Sequence, residues 1–201
     1  MNIEDKYKDR VLENYKTKLA FLDNACLMDK ISEFVVKKKL SKLTVTDSKK
    51  KKDFTYSWNK NNTRSVIQMK NNGKPICIIT TKLFLSQYAL KRKSGPIGVL
   101  NHQKSRWKQR YYGKFLTTDA SRVELYIKCE NNITYIFADD PHKKGHLIAK
   151  CTKAFSKKIP GFKDPSYHFQ IAPNVDPEFM ITLFWTAMEG NNLIAKTKSC
   201  F

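Results

Sequence analysis

The chain has 201 residues, with 38 Lys+Arg against 18 Asp+Glu, a formal net charge of +20. That length accommodates one domain of ordinary size plus an extension, and the charge calls for an anionic partner: nucleic acid, an acidic membrane surface or an acidic protein. Five scattered cysteines (Cys26, Cys77, Cys129, Cys151, Cys200), none in a C-x-x-C pair, exclude a zinc ribbon and a disulfide framework and fit reduced, intracellular thiols.

Plain compositional bias is the competing account of the charge, since Lys and Asn are abundant and only seven glycines occur. The opening residues MNIEDKYKDR mix acids with bases and lead into no apolar run, so no secretory signal is expected. The terminal KSCF places its cysteine too near the end for prenylation. An intracellular protein follows, cytoplasmic or peripheral at membranes, with no transmembrane segment.

Residues 1–40 read as an N-terminal helical extension. Ile3, Tyr7, Val11, Tyr15 and Leu19 recur at every fourth position, and Leu27, Ile31, Phe34 and Val35 suggest a second helix over Cys26–Leu40. These helices pack on the main domain or dock on a protein partner. From Ser41 the period becomes two: Leu43 and Val45, then Phe54, Tyr56 and Trp58. Strands are predicted over Ser65–Met69, Pro75–Thr81, Phe84–Leu90, Ile97–Leu100 and Arg106–Phe115. Further ones follow over Val123–Cys129, Ile133–Ala138, His146–Lys153 and Tyr167–Ile171. The Asn72-Gly73 step suits a tight hairpin. About eleven short strands joined by turns argue for an antiparallel sandwich or barrel.

The last element is a helix with no polar side. Asp176 suits the N-cap, Pro177 the first helical position and Gly190 the end. Between them Phe179, Met180, Ile181, Leu183, Phe184, Trp185, Ala187 and Met188 point all around the axis, interrupted by Thr182 and Thr186. Such a helix must be buried on every side, and about a dozen residues are too few to cross a bilayer. The reading is a mainly β chain: a closed antiparallel barrel of about twelve strands over residues 41–201, around a central helix at about 177–189. The alternative is a sandwich that traps the helix between its sheet and the N-terminal helices.

The run Tyr167–Pro177, with Pro173, Val175 and Asp176 leading into the apolar helix, resembles the C-terminal signature of the tubby-like superfamily. That group comprises tubby domains, LURP-one-related proteins and phospholipid scramblases. Ser121–Phe162, with Gly161-Phe162 before the final strand, resembles its strand–hairpin–strand approach. The resemblance implies a twelve-stranded barrel around a helix, and a basic barrel face that holds phosphoinositides. Asn174 departs from the pattern, which has glycine there. Neither a scramblase-like acidic segment after the helix nor a cysteine-rich palmitoylation cluster is present.

The segment His102–Phe115 is the sharpest binding candidate. As a strand it would put Lys104, Arg106, Lys108 and Arg110 on one face, at about 6.5–7 Å intervals, and Trp107 and Tyr111 on the other. Such cations suit phosphates, although the same alternation is what any barrel strand with a wet outer face would show. Lys91, Arg92 and Lys93 form a basic turn placed to widen the patch. Lys37–Lys39 and Lys49–Lys52 read as solvated runs. In Asp139–His146 two histidines stand four apart, but Pro141 and Gly145 make this a hairpin loop, so no metal site is assigned. No nucleophile elbow, Walker loop, dinucleotide motif or paired catalytic acids occur, so neither enzymatic activity nor a cofactor is expected. The sequence therefore reads as a tubby-like, non-enzymatic module for acidic phospholipid headgroups or another polyanion, RNA included. The alternative is a basic structural subunit of a large ribonucleoprotein or cytoskeletal assembly.

Overall fold

Alternating apolar residues become strands along most of the chain in the computed structural model. It describes residues 7, 9–23, 25–39, 42–48, 53–61, 66–71, 73–82, 87–103, 109–130, 132–155 and 165–198. The strands are β1 (Ser32–Lys39), β2 (Lys42–Asp47), β3 (Asp53–Asn61), β4 (Val66–Asn71), β5 (Lys74–Lys82) and β6 (Gln87–Arg92). They continue as β7 (Gly95–Gln103), β8 (Gln109–Leu116), β9 (Arg122–Glu130), β10 (Ile133–Ala138), β11 (His146–Phe155) and β12 (Pro165–Ile171). Each pairs antiparallel with its neighbour in sequence, and β1 pairs with both β2 and β12, so the twelve strands form a closed barrel. One helix, α1 (Pro177–Lys198), follows.

The helix is buried as its composition demands. Phe179, Met180, Ile181, Leu183, Phe184, Trp185 and Ala187 are each at most 2% exposed, and Thr182 and Thr186 are buried with them. The Thr186 hydroxyl donates to the Thr182 carbonyl at 2.8 Å, which satisfies it one turn back. The core around these residues draws Val36, Leu43, Ile79, Leu90, Leu100, Leu125, Ile148 and Phe169 from strands around the ring. Asp176 caps the helix through Oδ1, which accepts the Phe179 N–H at 3.0 Å.

Three sequence expectations change. The helix does not stop at Gly190 but continues to Lys198. A glycine ends a helix by turning left-handed, and Gly190 keeps helical backbone instead. The second N-terminal helix is replaced over its last residues by β1, whose Phe34 and Val36 face the core on a period of two. β1 supplies the pairing that joins β12 to β2, so the barrel begins at Ser32 rather than at residue 41. Among the described residues 9–23 and 25–31 no helix forms. The four-residue spacing does not make one face there: Val11 is 74% exposed, whereas Tyr7 and Leu19 are buried in different clusters. Ile3 lies outside the described residues.

This N-terminal segment works in two places. Tyr7 covers the outer face of β10 and β11, packing with Tyr135, Phe137 and Leu147. The Lys128 ammonium donates to the Tyr7 hydroxyl at 3.0 Å. Residues 19–23 then close the barrel end at which the helix starts. Leu19 bridges Val175, and Phe21 stacks on Phe179 with ring centroids 4.3 Å apart.

Candidate functional site

Hairpin connectivity sorts the cations. The end at which the helix starts carries the turns after β2, β4, β6, β8 and β10; the opposite end carries the connections after β1, β3, β5, β7, β9 and β11. At that second end the paired strand termini include Lys39, Lys42, Lys60, Lys82, Arg110 and Lys153, against Glu130. The helix runs toward it: the Tyr111 hydroxyl donates to the Ala187 carbonyl at 2.9 Å, near the Gln109 end of β8. Lys196 and Lys198 belong to the last turn of α1. The first end is mixed in charge, with Asp23, Asp47, Asp119, Asp139 and Asp140 beside Lys91, Lys93 and Arg122.

The four anticipated site residues that the structure describes do not form one cluster. Lys91, Arg92 and Lys93 lie at the β6–β7 turn, whereas Arg110 lies beyond the far end of β7, paired with Gln103. Nine residues of β7, about 30 Å of strand, separate the two groups. Lys104, Arg106 and Lys108 lie outside the described residues, as do Trp107 and Lys49–Lys52. Lys91 and Lys93 are exposed; Arg110 is partly exposed, and its Nε makes no hydrogen bond among the described residues.

Arg92 has a structural task. Its Nη1 donates to the carbonyls of Phe21 at 2.7 Å and Leu116 at 3.0 Å, and its Nη2 to that of Thr117 at 3.1 Å. Its Nε donates to the Ser94 hydroxyl at 2.9 Å, and Asp23 stands 3.6 Å away. Asp23 in turn accepts from the Ser94 N–H and hydroxyl. Those Ser94 bonds, with Arg92 nearby, hold the Asp23 carboxyl below the usual carboxylate range. The signal that sequence reasoning lacked is the pairing of residue 92 with residues 21, 116 and 117, which are far away along the chain.

Asp176 is the second fastening. Its Oδ2 accepts the N–H groups of Phe21 at 3.2 Å and Leu22 at 3.0 Å, in addition to the cap made by Oδ1. Burial pushes its carboxyl up to about 6, and the three N–H donors hold it from rising further. Asn174, two residues earlier, has a φ of 60°, the left-handed region that glycine tolerates best and asparagine next. Asn174 thus adopts a backbone conformation open to glycine as well.

In the Asp139–His146 loop a short 3-10 turn at Pro141–Lys143 is capped by Asp140. His142 lies 3.5 Å from the Lys128 ammonium, whereas His146 pairs with Glu13 at 3.0 Å, so the two rings do not converge. Among the described residues no group of three metal-ligating side chains comes together. No helix of the described residues is long and apolar enough to cross a membrane.

A twelve-stranded antiparallel barrel around an apolar helix is the architecture that the tubby-like resemblance implies. The family model for LURP-one-related proteins matches residues 32–186, and the chain belongs to that family, itself part of the tubby-like superfamily. The match begins at the first residue of β1. Among solved structures, an X-ray structure of an Arabidopsis thaliana protein is similar at 15% identity, covering 82% of this chain and 94% of that one, with a TM-score of 0.34. No curated protein matches the chain.

Proposed function

We propose that this chain is a non-enzymatic binding module that engages acidic phospholipid headgroups, phosphoinositides among them, or another polyanion. The contact is made by the barrel end at which Lys39, Lys42, Lys60, Lys82, Arg110 and Lys153 stand. One observation carries the reading: at or within two residues of the strand termini at that end stand Lys39, Lys42, Lys60, Lys82, Arg110 and Lys153 against the carboxylate of Glu130, whereas the opposite end mixes both signs. Cations near an acidic membrane each add about 1 kcal/mol, so six together suffice for reversible attachment without any catalytic step. The basic β6–β7 turn contributes Lys91 and Lys93 at the other end, a separate and smaller tether.

Flotation with phosphoinositide-containing vesicles tests this. Recovery above that with neutral vesicles is expected, and Lys39→Glu/Lys42→Glu should reduce it strongly. Equal recovery with both vesicle types sinks the lipid reading. RNA binding that falls steeply with salt, without vesicle binding, would replace it by the assembly-subunit alternative.

A further inference from the structure

The barrel wall carries a groove that the cationic end does not use. It lies over β7 and β8, has a volume of about 460 Å³, and is lined by Pro96, Val99, Tyr112, Lys114, Leu116 and Arg122 among others. A register shift in β6–β7 lies beside it: Leu90 pairs with Gly98 and Lys91 with Pro96, leaving Ile97 as an extra residue. Gly98 and Gly113 let the buried ring of Phe115 pack directly under the wall, since that ring fills the space that their side chains would take. A Cβ at Gly98 would meet Phe115 at 2.8 Å, and one at Gly113 would meet it at 2.5 Å. Val99 is 38% exposed on the groove, one of the few large apolar residues so exposed among the described ones.

The polar groups of the groove are already occupied. Asn101 donates to the Tyr112 carbonyl, and Glu124 accepts from Tyr112, Tyr126 and Lys114. β7 and β8 are each paired on both sides, so no strand edge offers backbone bonds. A peptide lying there would leave its own N–H and C=O groups without partners, at a cost an aliphatic chain does not incur. Arg122, opposite Leu116 in the β8–β9 register, is exposed and has no ion-pair partner among the described residues. A guanidinium at the end of an apolar groove matches one carboxylate, bonded through two parallel N–H donors.

We propose that this groove binds a long-chain fatty acid, its aliphatic chain along Pro96, Val99 and Leu116 and its carboxylate on Arg122. The proposal is independent of the cationic barrel end and stands or falls separately from it.

Titration of the full chain with cis-parinarate, a fluorescent long-chain carboxylate, tests it. Saturable enhancement is expected, abolished in Val99→Lys and weakened about fivefold in Arg122→Gln, as an exposed ion pair implies. The methyl ester should bind the wild type and Arg122→Gln equally. Lys39→Glu/Lys42→Glu should leave parinarate binding unchanged while reducing vesicle flotation. Because the Arg122 side chain is exposed, Arg122→Gln keeps the test valid should Val99→Lys fail to fold. Absence of saturable binding, or wild-type binding by both variants, would overturn the proposal. So would saturable binding of an apolar peptide in place of parinarate, self-association lost in Val99→Lys, or uptake of acyl chains only from phospholipid vesicles.

Discussion

The guanidinium of Arg92 lies 2.7 Å from the carbonyl oxygen of Phe21, a contact between residues 71 apart that locks the N-terminal segment onto the barrel end. Phe21 is held from both sides of its backbone, since its N–H donates to Asp176 while its carbonyl accepts from Arg92. Its ring lies against Phe179 and, edge-on, Phe115. The end of the barrel is thus closed by chain that precedes the family match, fastened by two residues inside it.

Removing the guanidinium separates a structural role from a binding one. Arg92→Gln strips the carbonyls of Phe21, Leu116 and Thr117 of their shared donor. We expect a loss of about 2–3 kcal/mol of unfolding free energy, in the range of charge-assisted hydrogen bonds lost from a largely enclosed group. Denaturant unfolding measures it. Vesicle flotation of the folded variant should match the wild type; loss of flotation with unchanged stability would make Arg92 a headgroup ligand instead.

Asp176 makes the same closure sensitive to pH, and the sign follows from its raised folded-state carboxyl. With an ordinary value of 3.8 in the unfolded chain and about 6 in the fold, the native state holds a proton that the unfolded state has released. The stabilisation from that proton is complete below pH 3.8 and is lost as pH rises to about 6. Asp176→Asn cannot ionise, so the stability of the wild type relative to this variant should fall by about 2 kcal/mol between pH 4 and pH 7. Urea unfolding of both proteins across that range checks it. A constant difference would show that burial does not govern this carboxyl.

Much of this architecture is legible in the sequence because its strongest signals are local. Phe179–Met188 leaves no polar face, which forces burial whatever surrounds the helix. Val123, Leu125, Ile127 and Cys129 alternate over a stretch too long for coincidence, and β9 forms there. Ser32–Lys39 misleads because Leu27, Ile31, Phe34 and Val35 also fit a helical spacing, and only pairing with β2 and β12 decides between the periods. The two basic segments misled in another way. Lys91–Lys93 and Arg110 are close in sequence, but β7 between them puts them at opposite ends of the barrel. The latch and the groove were not legible at all. One depends on carbonyls supplied from residues 21, 116 and 117, and the other on side chains that β7, β8 and the start of β9 bring side by side.

The left-handed backbone at Asn174 gives a third test, because that residue joins three parts of the chain. Its carbonyl accepts the Leu19 N–H at 2.8 Å, its N–H donates to the Met28 carbonyl at 2.8 Å, and its side chain reaches Asn14 at 3.4 Å. A β-branched side chain at a φ of 60° crowds the backbone, so Asn174→Val should destabilise the fold by about 1–2 kcal/mol. Asn174→Gly relieves that crowding but adds freedom to the unfolded chain, so the two effects should cancel to within about 0.5 kcal/mol. Thermal and urea unfolding of the two variants measure the contrast. Equal destabilisation by glycine and valine would assign the importance of Asn174 to its side-chain bond with Asn14, leaving the backbone conformation without a role.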